Sequence, residues 1–204
     1  MISRRALAAG IGLLLFAVAP AASAADGPAP VAVIRSFYDT LLGVMKDGRK
    51  LGFAGRRDQL APAIRQAYDF PAMTRLMVGL NWAQLDHDQQ AQIVDAFTAF
   101  SIATYANRFD GFSGESFAVD NTPTAAGNGN VVVKSQLIKN DGSKVELDYL
   151  MHEDAGAWKI VDVYLSGTVS ELATRRSEFS SVLRRGGADA LVDVLQKKTA
   201  ELRG

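Results

Sequence analysis

The sequence contains no cysteine and only two histidines, His87 and His152. The absence of cysteine excludes disulfide scaffolds, thiol catalysis and cysteine-ligated zinc or iron–sulfur sites, and two histidines far apart in the chain are a weak basis for a metal site. Basic and acidic residues both number 22, and this lack of a basic excess argues against a general nucleic-acid binder. Since 48% of the 204 residues are hydrophobic, we expect one domain with an ordinary packed core.

The N-terminus is typical of a secretory signal peptide over residues 1–24. Two arginines precede an apolar run over 6–18 that is too short to span a bilayer comfortably, and small residues suited to cleavage follow Pro20. We therefore expect a single exported domain over residues 25–204, located in the periplasm. The alternative is a retained membrane anchor.

Apolar residues at helical spacing predict a helical region over residues 28–109. The predicted helices cover 28–47, 56–68, 71–78 and 86–109. The last of these begins at a capping-box pattern, Asp86 with Gln89 three residues later. It is apolar on two sides, so we expect it to be buried on two sides.

The pattern changes to strand periodicity over residues 115–166, after a short alternating segment around Phe117 and Val119. Three further strands are predicted over 131–138, 145–151 and 158–165. The segment between Pro123 and Asn130 is rich in Ala, Gly and Asn and is interpreted as a loop. We expect an antiparallel sheet of about four strands.

The loop lengths predict the register of this sheet. A three-residue loop with Gly142 in the left-handed conformation places Leu137 opposite Val145 and Val133 opposite Tyr149, which gathers apolar residues on one face. The same loop length at Gly156 predicts the pairs Leu147–Val163 and Asp148–Asp162. It also puts Val161 on the apolar face and Ile160 on the polar face.

The C-terminal segment 169–202 is predicted to be helical. Thr168 with Glu171 three residues later is a capping-box pattern that begins a helix through Arg185. The pair Gly186-Gly187 separates it from a last helix. Helices, then an antiparallel sheet, then helices indicate the α+β class.

Few residues suggest catalysis. In residues 111–114 the second glycine comes one residue too early for a nucleophile elbow and no helix follows, so this segment suits a turn. Residues 152–154 suit a solvated turn better than a metal site. Asp148 and Asp162 face each other in the predicted register, so paired carboxylates are one candidate for acid–base chemistry. A charge ladder on the polar face of the sheet is the simpler interpretation.

Charge is unevenly distributed along the chain. Residues 86–162 carry 12 acidic and 5 basic groups, whereas 25–85 and 163–204 are basic overall. Four arginines of one predicted helix are Arg175, Arg176, Arg184 and Arg185. They form either a solvated face or a docking surface for an acidic partner or anionic headgroups.

Several blocks of residues resemble one known family in their order and spacing. They are 68–73, 78–79 with Trp82 and Leu85, 96–97 with 104–105, 158–163, Gly167 with Ser170, and 175–179 followed by Gly186-Gly187. On these blocks, nearly all of the chain after the signal peptide resembles the MlaC / toluene-tolerance family of periplasmic lipid carriers. The stretches 172–179 and 110–115 look most like its hopanoid-biosynthesis-associated branch, HpnM.

The resemblance implies a fold in which helices pack around a curved, nuclear-transport-factor-2-like sheet. It also implies a function: a shuttle that carries a phospholipid or hopanoid across the periplasm for an ABC-type lipid transport system. Its partners would be a membrane-bound ABC complex and an outer-membrane protein, with no cofactor, catalytic group or nucleic acid. The alternatives are an enzyme on the same fold acting on a hydrophobic small molecule, and a scaffold module that binds no lipid.

On this interpretation the lipid lies against the apolar face of the sheet and the helices that cover it. The expected lipid-binding residues are Met73, Phe97, Tyr105, Val133, Leu137, Val145, Leu147, Tyr149, Val161, Val163 and Leu165. The expected docking residues are the four arginines named above.

Overall fold

A computed structural model describes residues 29–202, so the predicted signal peptide over 1–24 lies outside the described residues. The helices are α1 (Ala29–Lys46), α2 (Gly48–Ala67), α3 (Phe70–Val78), a 3₁₀ turn (Gly79–Gln84), α4 (His87–Arg108) and α5 (Glu171–Glu201). The strands are β1 (Ser116–Val119), β2 (Thr124–Gly127), β3 (Asn130–Val133), β4 (Ser135–Ile138), β5 (Lys144–Asp154), β6 (Ala157–Leu165) and β7 (Val169–Ser170). The predicted α+β class, with helices before and after an antiparallel sheet, is confirmed.

The first two helices follow the predicted pattern with one correction. In α1 the apolar residues at helical spacing, among them Val31, Ile34 and Leu41, are fully buried. However, α2 begins at Gly48, well before the predicted start at residue 56. Gly52 interrupts it with a positive φ of 61°, and this kink breaks the helical spacing on which the prediction depended.

Side-chain caps begin the next two helices. The Ala72 amide donates to the Asp69 carboxylate over 2.9 Å at the start of α3. The predicted capping box of α4 is confirmed, since the Gln89 amide donates to Asp86 over 2.8 Å and the Gln89 side chain accepts from the Asp86 amide. Helix α4 contacts α2, α3 and α5, and is therefore buried on more than one side as expected.

Within residues 29–202 the sheet has seven strands, not about four, because the prediction missed short strands. The predicted strand over 131–138 is divided at Lys134 into β3 and β4, which both pair with the same edge of β5. The loop predicted between Pro123 and Asn130 contains β2, paired with β3. Strand β1 pairs with β4, and β6 pairs with the other edge of β5 and with β7. The long strands β5 and β6 therefore form the centre of the sheet.

The register of the first long hairpin is confirmed. Leu137 lies opposite Val145 and Val133 opposite Tyr149, with Gly142 at a φ of 81° in the three-residue loop. This agreement shows that separating apolar from polar residues was enough to fix the register of β3 and β4 against β5.

The predicted register of the second hairpin is wrong. Its turn has two residues, with a positive φ at both Ala155 and Gly156, and β5 and β6 shift by a bulge beside Leu150. Leu147 therefore lies opposite Leu165 instead of Val163, and Val163 lies opposite Tyr149.

The bulge also changes which side chains of β6 lie on each face of the sheet. Ile160, assigned to the polar face by the prediction, is fully buried opposite Met151. Val161 is buried at the irregular position and has no partner on β5. One extra residue in a strand moves side chains to the other face, so this error follows directly from the missed bulge.

The predicted pairing of Asp148 with Asp162 is also wrong, because the two residues do not face each other. Asp148 lies opposite Tyr164, and Asp162 lies opposite Leu150. The Asp162 carboxylate accepts hydrogen bonds from the Val163 amide (2.7 Å), the Leu172 amide (3.0 Å) and the Ser170 hydroxyl (2.6 Å). Asp162 therefore ties β6 to the first turn of α5.

The start of α5 also differs from the prediction. Its N-cap is Ser170, whose hydroxyl accepts from the Ala173 amide over 2.8 Å, and not Thr168. The predicted break at Gly186-Gly187 is confirmed, because Gly187 has non-helical angles of φ 70° and ψ −160° inside α5. The two halves of α5 fold back on each other, and Lys198 reaches Glu178 over 2.7 Å.

We expect Gly187→Ala to lower the free energy of unfolding by about 1–3 kcal/mol, because these backbone angles are accessible almost only to glycine. An added Cβ would meet no atom within 4 Å, so the loss would come from the backbone alone. Gly43→Ala is the matched control, since it also adds a Cβ in open space, but within the regular helix α1. It should stabilise the protein by about 0.5–1 kcal/mol. Equal shifts in urea unfolding for the two variants would contradict this account of the kink.

Candidate functional site

An apolar cleft lies between the sheet and the helices. Its cavity volume is about 130 Å³, and the empty space between its walls is about 830 Å³ when the space open to solvent is included. Its walls come from α3, α4, the start of α5 and the central strands β5 and β6. This apolar lining with a few polar groups is typical of a pocket for a small hydrophobic molecule.

The sheet forms one wall of the cleft. Leu147 and Tyr149 from β5 and Val163 and Leu165 from β6 line it, and they are opposite one another in the register. Strand periodicity explains this arrangement, because alternate residues of two paired strands point to the same face.

Aromatic side chains form the opposite wall. Phe70 and Phe97 contact edge to face with ring centroids 6.1 Å apart, and Tyr105 stacks on Phe109 at 5.7 Å. Phe100 belongs to the same wall. Edge-to-face and stacked contacts of this kind stabilise the rings against one another.

Tyrosine hydroxyls give the cleft a few neutral polar atoms. The hydroxyls of Tyr68 and Tyr105 share a hydrogen bond, and Tyr149 lies between this pair and Tyr38, with which it interacts. Burial raises the pKa of Tyr68, Tyr105 and Tyr149, so these phenols remain protonated at neutral pH. They can donate or accept hydrogen bonds but supply no phenolate base.

The charged residues that line the cleft are Arg108, Glu171 and Arg175. The Arg175 guanidinium donates to Glu178 over 2.8 Å and to Glu171 over 3.4 Å, and lies 5.3 Å from the Phe100 ring centroid. Burial raises the pKa of Glu178, but hydrogen bonds from Lys198 and Arg175 outweigh it and lower that pKa overall. Both glutamates of this network are thus paired with Arg175, and Glu178 is also paired with Lys198.

Seven of the eleven residues predicted to bind lipid line this one cleft. They are Met73, Phe97, Tyr105, Leu147, Tyr149, Val163 and Leu165. The other four lie elsewhere: Val133 is fully buried beside Tyr149, Leu137 and Val145 are half-buried at the hairpin end, and Val161 lies at the bulge. The contact of each residue with a lipid stays a prediction.

The four predicted docking arginines have different surroundings. Arg175 lies at the rim of the cleft, and the guanidinium of Arg176 packs against Gly79. Arg184 and Arg185 are exposed before the kink of α5. The sequence therefore grouped one cleft residue with three surface residues.

Several cleft residues were missed by the sequence analysis. The main ones are Tyr68, Phe70, Phe100, Phe109 and Leu172. The concentration of aromatic residues along α3 and α4 was an available signal, because a helix buried on two sides can use one side for a cavity.

The other candidate sites have structural explanations. His152 Nε2 lies 2.8 Å from Asp69 Oδ2, which joins the end of β5 to the start of α3. Within residues 29–202, no cluster of three histidine or acidic side chains is arranged to hold a metal ion. None of the helices in that range combines the length and apolar character needed to cross a membrane.

Comparison with known proteins agrees with the sequence resemblance. The model of the family described as MlaC protein matches residues 35–197. The chain is similar to the solved structure of a phospholipid-binding protein from Ralstonia solanacearum in complex with a phospholipid. The two are 29% identical, the match covers 85% of this chain and 98% of that one, and the TM-score is 0.73. A search of curated proteins gave no match. The assignment to the hopanoid-associated branch stays a prediction, but the family match spans most of the sequence, and the chain belongs to the MlaC family.

Proposed function

We propose that the protein is a periplasmic lipid carrier, which holds the acyl chains of a membrane lipid in the cleft and moves the lipid between membranes. The observation that carries this proposal is the apolar cleft between the sheet and the aromatic wall. The similarity to a phospholipid-binding protein supports it.

The physical need for such a carrier follows from the cost of exposing a lipid. Two acyl chains of about 15 methylenes each would cost roughly 24 kcal/mol in water, at about 0.8 kcal/mol per methylene. A cleft that matches the apolar interior of a bilayer removes most of this cost. Loading and unloading are then nearly balanced, and no catalytic group is needed.

The two alternatives fit the structure less well. Neither Asp148 nor Asp162 lines the cleft, and the carboxylate that does, Glu171, is paired with Arg175. An enzyme on this fold would therefore lack the general base that the sequence suggested. A scaffold without a ligand gives no reason for an apolar cleft that is open to solvent.

A vesicle assay tests lipid transfer. Donor vesicles carry a fluorescent phospholipid and a non-exchanging quencher, and acceptor vesicles carry neither. Purified protein should accelerate the rise in fluorescence in proportion to its concentration. A rate equal to that of a protein without an apolar cavity would contradict the proposal. Repeating the assay with a labelled hopanoid distinguishes the two lipid classes.

We further propose that the carrier docks on a membrane-bound ABC transport complex and an outer-membrane partner through the basic surface of α5. Arg184→Glu with Arg185→Glu should weaken binding to the membrane complex, and the loss should shrink as salt rises, because exposed charges are screened within about 8–10 Å. Lys139→Glu with Lys144→Glu reverses two exposed charges on the first long hairpin and is the matched control. Unchanged binding of the arginine variant at low salt would show that this face is only solvated.

A further inference from the structure

The most exposed large apolar side chain among residues 29–202 is Leu80, with 90% of its surface accessible. Leu76, four residues earlier at the end of α3, is 52% exposed. Single exposed leucines are common on protein surfaces, but here two lie within five residues of the chain, one on each side of Gly79. We call Leu76 and Leu80 the apolar tip.

The turn that carries the apolar tip is firmly held. Gly79 has a positive φ of 68°, and a Cβ there would lie 2.8 Å from a terminal nitrogen of Arg176. The side chain of Gln90 donates to the carbonyls of Trp82 (3.0 Å) and Leu85 (3.2 Å) at the end of the 3₁₀ turn. Leu80 is therefore exposed by a packed backbone and not by a frayed end.

Basic side chains accompany the tip. Arg75 is exposed beside Leu76, and Arg176 is exposed beside Gly79. The acidic residues that follow, Asp86 and Asp88, belong to the next element, where Asp86 is engaged as the cap of α4. Two leucines between two arginines thus give a basic, apolar surface.

The tip lies near residues that line the cleft. It stands at the end of α3, whose Phe70 and Met73 line the cleft. The guanidinium of Arg176 packs against Gly79, and the preceding residue, Arg175, also lines the cleft. A surface contacted by the tip would therefore lie near the cleft.

We propose that the apolar tip, with Arg75 and Arg176, is a docking surface for an anionic lipid bilayer; this inference rests on the proposed carrier function. Leucine side chains enter the boundary between headgroups and acyl chains, while arginines keep their charge at the headgroups. Anionic lipids attract such basic residues. A protein partner is less well matched, because leucine is uncommon among the residues that dominate protein interfaces.

The absence of cysteine allows a direct test with a single probe. Leu80→Cys is labelled with an environment-sensitive fluorophore and mixed with protein-free vesicles containing phosphatidylglycerol. We expect a blue shift and a several-fold rise in emission, both smaller with phosphatidylcholine vesicles and at high salt. The same label at Val169→Cys, which replaces an exposed apolar residue 52% accessible on β7, should respond little.

A second variant measures the consequence for loading. Leu80→Glu should slow lipid uptake from anionic vesicles by about tenfold without changing the amount bound at saturation, because it removes an apolar contact with the membrane and not one with the ligand. Phe112→Glu, at another exposed apolar side chain, should load at the wild-type rate.

The outcomes separate the two proposals. An unresponsive label at residue 80, a response equal to that at residue 169, or a response only when a membrane protein is added would overturn the bilayer inference and leave lipid transfer unaffected. A responsive label in a protein that transfers no lipid would instead overturn the carrier function.

Discussion

Leu147→Trp is expected to reduce the lipid that copurifies with the protein while leaving the fold intact. Leu147 lines the cleft at the centre of β5, opposite Leu165. Added volume there occupies the cleft and displaces the ligand. A ligand bound only by the native state adds about 2.7 kcal/mol at a hundredfold excess over its Kd, so wild type should lose stability on delipidation. The Leu147→Trp variant should lose much less stability on delipidation.

Leu150→Trp is the matched control, because it makes the same change in the same strand on the opposite face. It should keep its lipid. Melting temperature and bound lipid are measured on the same samples, before and after delipidation. If the Leu147 site were ordinary core, overpacking would cost about 1–3 kcal/mol with or without lipid. A Leu147→Trp protein that melts well below delipidated wild type, with unchanged lipid content, would show that the cleft assignment is wrong at this position.

Asp162→Ala is expected to lower the free energy of unfolding by about 2–4 kcal/mol, because hydrogen bonds to a charged group contribute about 1.5–3 kcal/mol each and their loss is partly recovered through solvent. The carboxylate is 7% exposed and serves two amides and the Ser170 hydroxyl. Without it, the first turn of α5, which bears Leu172 and Arg175 of the cleft, would loosen.

Two further variants serve as comparisons for Asp162→Ala. Asp162→Asn keeps one acceptor oxygen for the amides of Val163 and Leu172, so it should cost less than the alanine variant and leave lipid transfer intact. Asp148→Ala removes a half-buried carboxylate that accepts one 3.3 Å bond from the Ser135 amide, and should cost less than about 1 kcal/mol. Chemical denaturation measures the free energy of unfolding of all three variants. Equal losses at Asp148 and Asp162 would contradict the anchoring role.

The two long hairpins show what sequence reasoning could reach. At Gly142 the turn uses a glycine in the left-handed conformation, and separating the two faces fixed the register. At Ala155 a non-glycine residue takes a positive φ. A bulge further along β5 and β6 then shifts the register, so that apolar side chains of both strands lie on the same face of the sheet. Gly156 is compatible with a two-residue turn as well as with the predicted three-residue loop, and the bulge leaves Ile160 and Met151 buried opposite each other.

The candidate site was predictable to a similar extent. Alternation along β5 identified Leu147 and Tyr149, and helical spacing identified Phe97 and Tyr105, all of which line the cleft. The rim was not predictable. Arg175 was grouped with surface arginines because its pairing with Glu171 and its contact with Phe100 depend on how α5 crosses α4.

Native mass spectrometry of the freshly purified protein tests the central claim most directly. We predict a non-covalent adduct with the mass of a membrane lipid on wild type, retained by Leu150→Trp and much reduced on Leu147→Trp. Fragmentation of the adduct would identify it as phospholipid or hopanoid. Wild-type protein that carries no lipid adduct, even after incubation with lipid vesicles, would contradict the assignment of the cleft as a lipid-binding site.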